Sequence, residues 1–318
     1  MAPIRRATVF GGTGFIGRYI VKRLAQRGAT VIVVGRHAWR GNYLQPMGDV
    51  GQIALVDGDI RDDAVVSAAV QEADLVVNLV GILAESGRQR FEAVQHEGAG
   101  RIARTAAAAG ARHVLHVSAI GADPASPAAY GRSKAAGEAA VRAACPGAVI
   151  LRPSIVFGPE DQFFNRFAAM TRLSPFLPLI GGGRTKFQPV YVGDVADAAM
   201  AAIDEPAAAG QTYELGGPTV YTFEELIRLM LREIGRPGFP LVPIPFGLAT
   251  LQAAILEHLP GQLLTRDQVK LLKRDNVVSA DAKTLADLGI TPTAPEVIIE
   301  SYLERFRTGG RHAGQKPA

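Results

Sequence analysis

Tyr130 and Lys134 stand four residues apart in the segment Ser126-Pro127-Ala128-Ala129-Tyr130-Gly131-Arg132-Ser133-Lys134. On a helix that spacing puts both side chains on one face. A phenol with its ordinary pKa of about 10 is a poor acid or base at neutral pH. A lysine ammonium one turn away, with a nicotinamide cation nearby, would lower that value toward one useful for proton transfer. The same lysine can hold a nicotinamide ribose by its hydroxyls. An ordinary surface Tyr/Lys pair has the same spacing, so the chemistry depends on whether the chain also offers a dinucleotide site.

Residues 7–28 (ATVFGGTGFIGRYIVKRLAQRG) offer one. An apolar run, 7–10, meets Gly11, Gly14 and Gly17, and Tyr19, Ile20, Val21 and Leu24 then recur at helical spacing. The pattern reads as strand, glycine turn and helix. Glycine lets the backbone turn tightly and approach a pyrophosphate at the helix N-terminus, where free N–H groups and the helix dipole favour an anion. A purely structural turn can share this spacing. Residues 30–35 (TVIVVG) are a β-branched run without alternation, as expected of a parallel strand buried on both faces. Arg36 and His37 follow, roughly 20 residues after the glycine turn, where an acidic residue would suit free ribose hydroxyls and an arginine a 2′-phosphate. Arg36 therefore argues for NADP(H) over NAD(H), its alternative being a surface arginine after a strand.

The other elements line up behind this site. A third strand (52–57) ends near Asp59, which can accept from an adenine amino group or cap a helix starting near Arg61. A fourth (73–83) carries Asn78 and Gly81 at its end, and an alanine-rich helix spans 99–110. The fifth strand, 113–117 (HVLHV), ends at Ser118. Ser126-Pro127 reads as the N-cap and first position of the helix bearing Tyr130 and Lys134. Farther on, Asp194 should cap a helix over 195–203, and 211–215 should be a strand. Thr222–Glu225 is a capping box opening a helix to Ile234. Residues 237–245 read as a proline-interrupted linker. The apolar segment 246–259 (FGLATLQAAILEHL) is shorter than a membrane span. It reads first as a core helix of a small domain, and otherwise as a surface helix docking on a partner or a membrane interface.

Composition narrows the function classes. The chain has 318 residues, 48% hydrophobic, with 34 basic and 30 acidic residues and a net charge of +4. That is a globular composition, and no Lys/Arg block suggests a nucleic-acid groove. The single cysteine, Cys145, excludes an internal disulfide framework and fits a reducing, cytoplasmic compartment. No apolar leader precedes the first strand, so no signal peptide is expected. The six histidines show no metal-ligand pattern; G-x-S-x-G and a Walker-type lysine are also missing.

In this order, Gly11-x-x-Gly14-x-x-Gly17, Arg36, Asp59 and Tyr130-x-x-x-Lys134 resemble the short-chain dehydrogenase/reductase superfamily, in its extended or atypical branch. Residues 149–159 (VILRPSIVFGP) are similar to that branch's sixth strand. Residues 158–167 (GPEDQFFNRF), 188–196 (QPVYVGDVA) and the Thr265-x-Asp267-Gln268 to Asp275-Asn276-Val277-Val278 stretch are similar to one subfamily. It is the group of the NADPH-binding Rossmann-like accessory subunit of mitochondrial respiratory complex I with its bacterial relatives, and the resemblance runs from residue 5 to 305.

The resemblance implies an α/β fold, a doubly wound, mainly parallel Rossmann-type sheet with a smaller, sequence-interleaved C-terminal domain covering the cofactor cleft. The expected division is 1–157, also receiving 188–216; 158–187 with 217–305; and a disordered tail, 306–318. It implies dinucleotide contacts from Thr13, Phe15 and Ile16 among the three glycines, and from Arg36 with His37 and Asp59 with Ile60. Further contacts are expected from Leu79 and Gly81 on the fourth strand, from Lys134 and from Pro153. Its usual catalytic group is a hydroxyl after the fifth strand plus Tyr130 and Lys134. Ser118 is the only hydroxyl there, and the position two residues on, where extended members place the acting serine, holds Ile120. Two functions follow as expectations. One is an NADP(H)-binding protein whose cofactor is mainly structural or weakly catalytic, at a respiratory or quinone-linked assembly on the inner face of the cytoplasmic membrane. The other is an active oxidoreductase, epimerase or dehydratase on a small carbonyl, nucleotide-sugar or quinone-type substrate.

Overall fold

The computed structural model describes residues 3–259 and 262–307. Short Val/Ile/Leu-rich runs form β1 (Arg6–Phe10), β2 (Thr30–Gly35), β3 (Ile53–Asp57), β4 (Leu75–Asn78), β5 (His113–Val117) and β6 (Val149–Pro153). With the strand Thr212–Leu215 they make one seven-stranded sheet, ordered Thr212–Leu215, β6, β5, β4, β1, β2, β3. All pairs are parallel. The sheet is the doubly wound arrangement the sequence led us to expect. β1 is its hinge: Phe10 is in register with Val34 on one side and Asn78 on the other. After β3 the chain returns to the far side of β1, and in such sheets the ligand crevice opens at that switch point, beyond the strands' carboxyl ends.

Four helices flank these strands, α1 (Phe15–Gln26), α2 (Asp63–Ala69), α3 (Glu97–Ala108) and α4 (Ala129–Ala144). Val66 and Ala69 of α2, Ala99 and Ile102 of α3 and Val141 of α4 share a buried cluster with Phe10, Val34, Val76 and Val114 of the sheet. Arg23 of α1 pairs with Asp197 of the helix Val192–Asp204. The strands are thus apolar on both faces, which explains their unalternating sequences. α4 packs on the turn just before α3 closely enough to require glycine. A Cβ on Gly137 would stand 2.1 Å from the carbonyl oxygen of Gln95.

The chain divides into two compact units. The first comprises 1–153, 193–215 and 279–291, the second 154–192, 216–278 and 292–318. These boundaries differ from the expected ones. The sixth-strand segment breaks after Pro153, and Val156–Phe157 pairs with Val190–Tyr191 in a separate two-stranded sheet. Residues 154–157 and 188–192 therefore fall in the second unit. Residues 279–291 fall in the first because Glu214 N–H donates to Lys283 O at 2.8 Å, extending the edge strand.

The second unit has an aromatic and aliphatic core that includes Phe157, Phe164, Phe223, Leu226, Met230, Ile299 and Leu303. The capping box at Thr222 and Glu225 opens its helix Phe223–Glu233. Several local expectations are corrected here. The proline-interrupted 237–245 stretch contains a strand, Leu241–Ile244, parallel to Leu177–Ile180, since prolines are tolerated on such an edge pair. Asp194 lies inside the first turn of the helix Val192–Asp204 instead of preceding it. Phe306 is buried and Arg307 donates to Glu233 O at 2.7 Å, so the expected tail does not begin at 306. Its remainder, 308–318, lies outside the described residues. The helix Phe246–Leu256 is not a core helix: only Ala249 and Ala253 are buried, while Leu248, Leu251 and Ile255 face outward.

Gly137→Ala should destabilise the chain by about 1–3 kcal/mol, because the added methyl meets the backbone carbonyl of Gln95. Urea denaturation reads this as a lowered midpoint at unchanged slope; a wild-type midpoint would refute the close-packing argument.

Candidate functional site

The glycine turn joins β1 to α1 at the sheet's switch point. Gly11 has φ of +80°, a left-handed conformation that favours glycine. A Cβ on Gly17 would lie 2.5 Å from Gly11 O and 2.6 Å from Gly12 Cα, so α1 can meet the turn only without a side chain there. Gly14 is the N-cap of α1, with no side-chain capping bond and no acidic residue in the first turn. The helix therefore presents its N-terminal N–H groups and positive dipole end beside the strand ends, the arrangement that suits a phosphate.

Thr13, Phe15 and Ile16 lie in this turn and the start of α1. Thr13 is clasped from the next connection: Tyr43 OH donates to its carbonyl at 2.8 Å, and its Oγ1 lies 3.5 Å from where a Cβ on Gly35 would be. The Arg18 guanidinium stands 4.6 Å from the Tyr43 ring centroid. Arg36 and His37 are exposed at the end of β2. Asp59 follows β3 but does not cap α2: Asp62 does, accepting from Ala64 N at 2.9 Å. Asp59 instead pairs with Arg61, and that side-chain hydrogen bond is the first reason its carboxyl is held below the ordinary carboxylate range. Ile60 beside it is buried.

The Tyr130 helix starts at Ala129, later than the expected Ser126 cap, with Ala128 as N-cap. Ser126 is buried and accepts from Ala128 N at 3.3 Å. Lys134 is also buried and donates to Val117 O at 3.2 Å. A Cβ on Gly81 would lie 3.2 Å from its Nζ, so the structure brings α4 and the end of β4 together here, with Leu79 two residues before. Lys134 Nζ stands 6.0 Å from the Tyr130 ring centroid. Burial pulls the Lys134 ammonium down to about 8 and pushes the Tyr130 phenol up to about 12. The expected lowering of the phenol by its lysine is therefore absent from the chain's own electrostatics: desolvation of the phenolate outweighs the ammonium.

At the end of β5, Ser118 is buried and its Oγ has no hydrogen-bond partner among the described residues. Ile120 is buried at 8% exposure, its N–H donating to Pro153 O at 3.1 Å. That bond locks the isoleucine to the end of β6, which accounts for the placement of Pro153.

Sequence reasoning missed two groups beside the lysine. Gln95 lies in a π-helical turn, Glu92–His96, before α3; its Nε2 donates to Ser133 Oγ at 2.7 Å and its Oε1 accepts from Ile82 N at 3.3 Å. A π turn has no residue pattern, so nothing in the sequence announces it. His116 is fully buried, with Nδ1 3.2 Å from Asn78 Nδ2. The amide nitrogen is a donor, so Nδ1 accepts and the imidazole proton sits on Nε2, which has no partner among the described residues. Desolvation first, and then the Lys134 charge, lower its pKa to about 3.

The fold and this constellation define a class. The NAD dependent epimerase/dehydratase family matches residues 7–216, and the chain belongs to that family, with its NAD(P)-binding Rossmann-type fold. Within it, the chain is 39% identical to NADH dehydrogenase (ubiquinone) 1 alpha subcomplex subunit 9, mitochondrial, from Arabidopsis thaliana, over 97% of this chain and 79% of the relative. It is also 30% identical to a ceramide reductase from Caulobacter vibrioides, over 78% of this chain and 76% of that one. Among solved structures, a dTDP-glucose 4,6-dehydratase from Streptomyces venezuelae shares the fold, with a TM-score of 0.71 and 23% identity over 95% of this chain and 96% of that one.

His116 makes this region acid-sensitive. The unfolded histidine takes a proton below its ordinary value of 6.5, while the folded one stays neutral to about 3. Stability should therefore fall as pH drops from 6.5 toward 3, by up to about 1.4 kcal/mol per pH unit from this group. His116→Leu leaves Asn78 short of an acceptor and lowers stability at pH 7, but should reduce the slope by that amount. Denaturation midpoints at pH 7, 6 and 5 test it; equal slopes in both proteins would rule the assignment out.

Proposed function

We propose that this chain is an NADP(H)-binding protein of the complex I accessory type, in which the dinucleotide is held mainly for structure and turns over weakly at most. The observation that carries the reading is Ile120. It occupies the position where a substrate-orienting hydroxyl is expected, is buried, and is tied by its N–H to Pro153. Loss of one positioned donor of this kind commonly costs about 10²–10³-fold in rate. The dinucleotide contacts do not depend on it. The α1 N-terminus receives the pyrophosphate, Arg36 the 2′-phosphate, the Asp59 region the adenine end, and Lys134 the nicotinamide ribose. Bound NADP(H) stabilises the folded chain by about 2.7 kcal/mol at a concentration a hundredfold above Kd.

The nicotinamide would supply hydride chemistry where a substrate can reach it. Around it Lys134 would orient the ribose, and Tyr130 would hold the proton at its phenolic oxygen. With the phenol near 12, that proton stays on the oxygen at neutral pH. The high-coverage similarity to the alpha subcomplex subunit 9 supports a place at a membrane-bound respiratory or quinone-linked assembly on the inner face of the cytoplasmic membrane. A second reading, an active reductase of a carbonyl substrate, draws support from the retention of Tyr130 and Lys134 on one helix face and from the similarity to a ceramide reductase.

The purified protein distinguishes the two. NADP(H) should co-purify, and neither a carbonyl nor a quinone panel should oxidise bound NADPH at more than a trace rate. Tyr130→Phe should keep the nucleotide and leave that rate unchanged; a turnover abolished by Tyr130→Phe would overturn the structural reading. Arg36→Asp should move the NADP(H)/NAD(H) preference toward NAD(H) by about tenfold or more, because a carboxylate repels the 2′-phosphate and accepts from ribose hydroxyls. Unchanged preference in a nucleotide-binding competition would remove Arg36 from the site.

A further inference from the structure

Arg18 stands on α1 one turn after Gly14, its N–H donating to Gly14 O at 3.2 Å. Its guanidinium lies 4.6 Å from the ring centroid of Tyr43, and Tyr43 OH donates to Thr13 O at 2.8 Å. Arg18 is therefore held against the connection that follows β2 and, through Tyr43, beside the glycine turn. Arg36 comes to the same turn on β2. It follows Gly35, and a Cβ on Gly35 would stand 3.5 Å from Thr13 Oγ1. Thr13 is thus the shared neighbour of the segments that carry the two arginines.

The charge around that neighbour is one-sided. Residues 1–48 contain no aspartate or glutamate. Cations elsewhere in this stretch are matched from other elements: Arg6 by Glu72, Arg23 by Asp197, Arg27 by Asp204. The carboxylates at and just after the end of β3 are engaged locally. Asp57 Oδ1 accepts from Ala38 N at 2.6 Å, and Asp59 pairs with Arg61. A phosphate monoester carries about −1.5 to −2 charges at neutral pH. One guanidinium cannot neutralise it; two can, each offering a planar fork to its oxygens. Arg36 is exposed and must be ordered on binding. Arg18 is half-buried and already restrained by the Tyr43 ring, so it loses less freedom. NAD(H) has only hydroxyls on that ribose and gives such a fork nothing to bind. The pyrophosphate common to both nucleotides suits the N–H groups of α1.

We propose that Arg18 is a specificity-determining residue: its guanidinium, laid on Tyr43, binds the 2′-phosphate of NADP(H) together with Arg36. This role rests on the NADP(H) reading above and adds to Arg36 a second cation and its aromatic holder.

Affinities for NADPH and NADH are measured on the purified chain by nucleotide exchange, with 2′,5′-ADP and 5′-AMP as competitors that differ only in the 2′-phosphate. Arg18→Gln should weaken NADPH and 2′,5′-ADP by about tenfold or more and change NADH and 5′-AMP by less than about twofold. Arg18→Lys keeps the charge but loses the fork. Its NADPH affinity should fall between those of the wild type and the glutamine variant, and its NADH affinity should not change, which tests the role even if Arg18→Gln fails to fold. Equal weakening of both nucleotides would put Arg18 at the pyrophosphate or in the shape of the turn, and no weakening would remove it from the site; either result overturns the proposal. The reading beneath it fails differently: a wild-type chain that binds NADH as tightly as NADPH, and 5′-AMP as tightly as 2′,5′-ADP, has no 2′-phosphate site for either arginine. If Arg36→Asp shifts the preference and Arg18→Gln does not, the NADP(H) reading stands and the role of Arg18 falls.

Discussion

The backbone of α1 touches the backbone of the preceding turn, and the site depends on that contact. With 2.5 Å between Gly11 O and the place a Gly17 Cβ would take, any side chain would push the helix away from the strand ends. Because β1 sits between β2 and β4, the uncapped N-terminus of α1 is delivered to the switch point of the sheet. The next connection closes on the same turn. Ala38 N donates to Asp57 Oδ1 at 2.6 Å, Gly41 packs on Thr13, and Tyr43 bonds the Thr13 carbonyl. What the turn presents is backbone, and the side chains of the turn named here hold it in shape.

A second constraint is dryness. Asn78, Gln95, His116, Ser118, Ser133 and Lys134 are all buried where β4, β5 and α4 meet. Burial disfavours every charged form, so the ammonium and imidazolium are weakened and the phenolate is disfavoured together. The polar groups are nevertheless partly satisfied by one another: Gln95 by Ser133 and Ile82, His116 by Asn78, Lys134 by the Val117 carbonyl. Such a cluster rigidifies the region where β4, β5 and α4 meet. It does not by itself make Tyr130 a better acid, and Ile120 offers a substrate oxygen no donor beyond an N–H already given to Pro153.

The second unit shows the reverse distribution of apolar residues in one place. Its core is conventional, with Phe163, Phe167 and Phe223 in edge contacts at 5.3–5.9 Å between centroids. The helix Phe246–Leu256, by contrast, turns alanines inward and leucines outward. Burying alanine gains little, so this helix is held by few contacts and offers much apolar area to whatever covers it.

The sequence by itself determined the sheet strands, the glycine turn, the two-face burial of β2 and the capping box at Thr222. Each follows from a local rule: β-branched runs, glycine where backbones touch, a hydroxyl three residues before a carboxylate. It also made Ile120 visible as an unusual residue and gave the family through motifs spread from Gly11 to Val278. Tertiary structure alone decided the rest. Asp59 is claimed by Arg61, and the phenol of Tyr130 is governed by burial instead of its lysine. His116 is neutral because burial and the Lys134 charge disfavour its imidazolium, and the carbonyl of Gln95 in the π turn meets α4 at Gly137. The outward face of Phe246–Leu256 could not be read from a segment apolar on several sides, because periodicity cannot choose a face when every face is apolar. Burial and hydrogen-bond partners come from residues distant in the chain, and only their packing determines which polar group meets which.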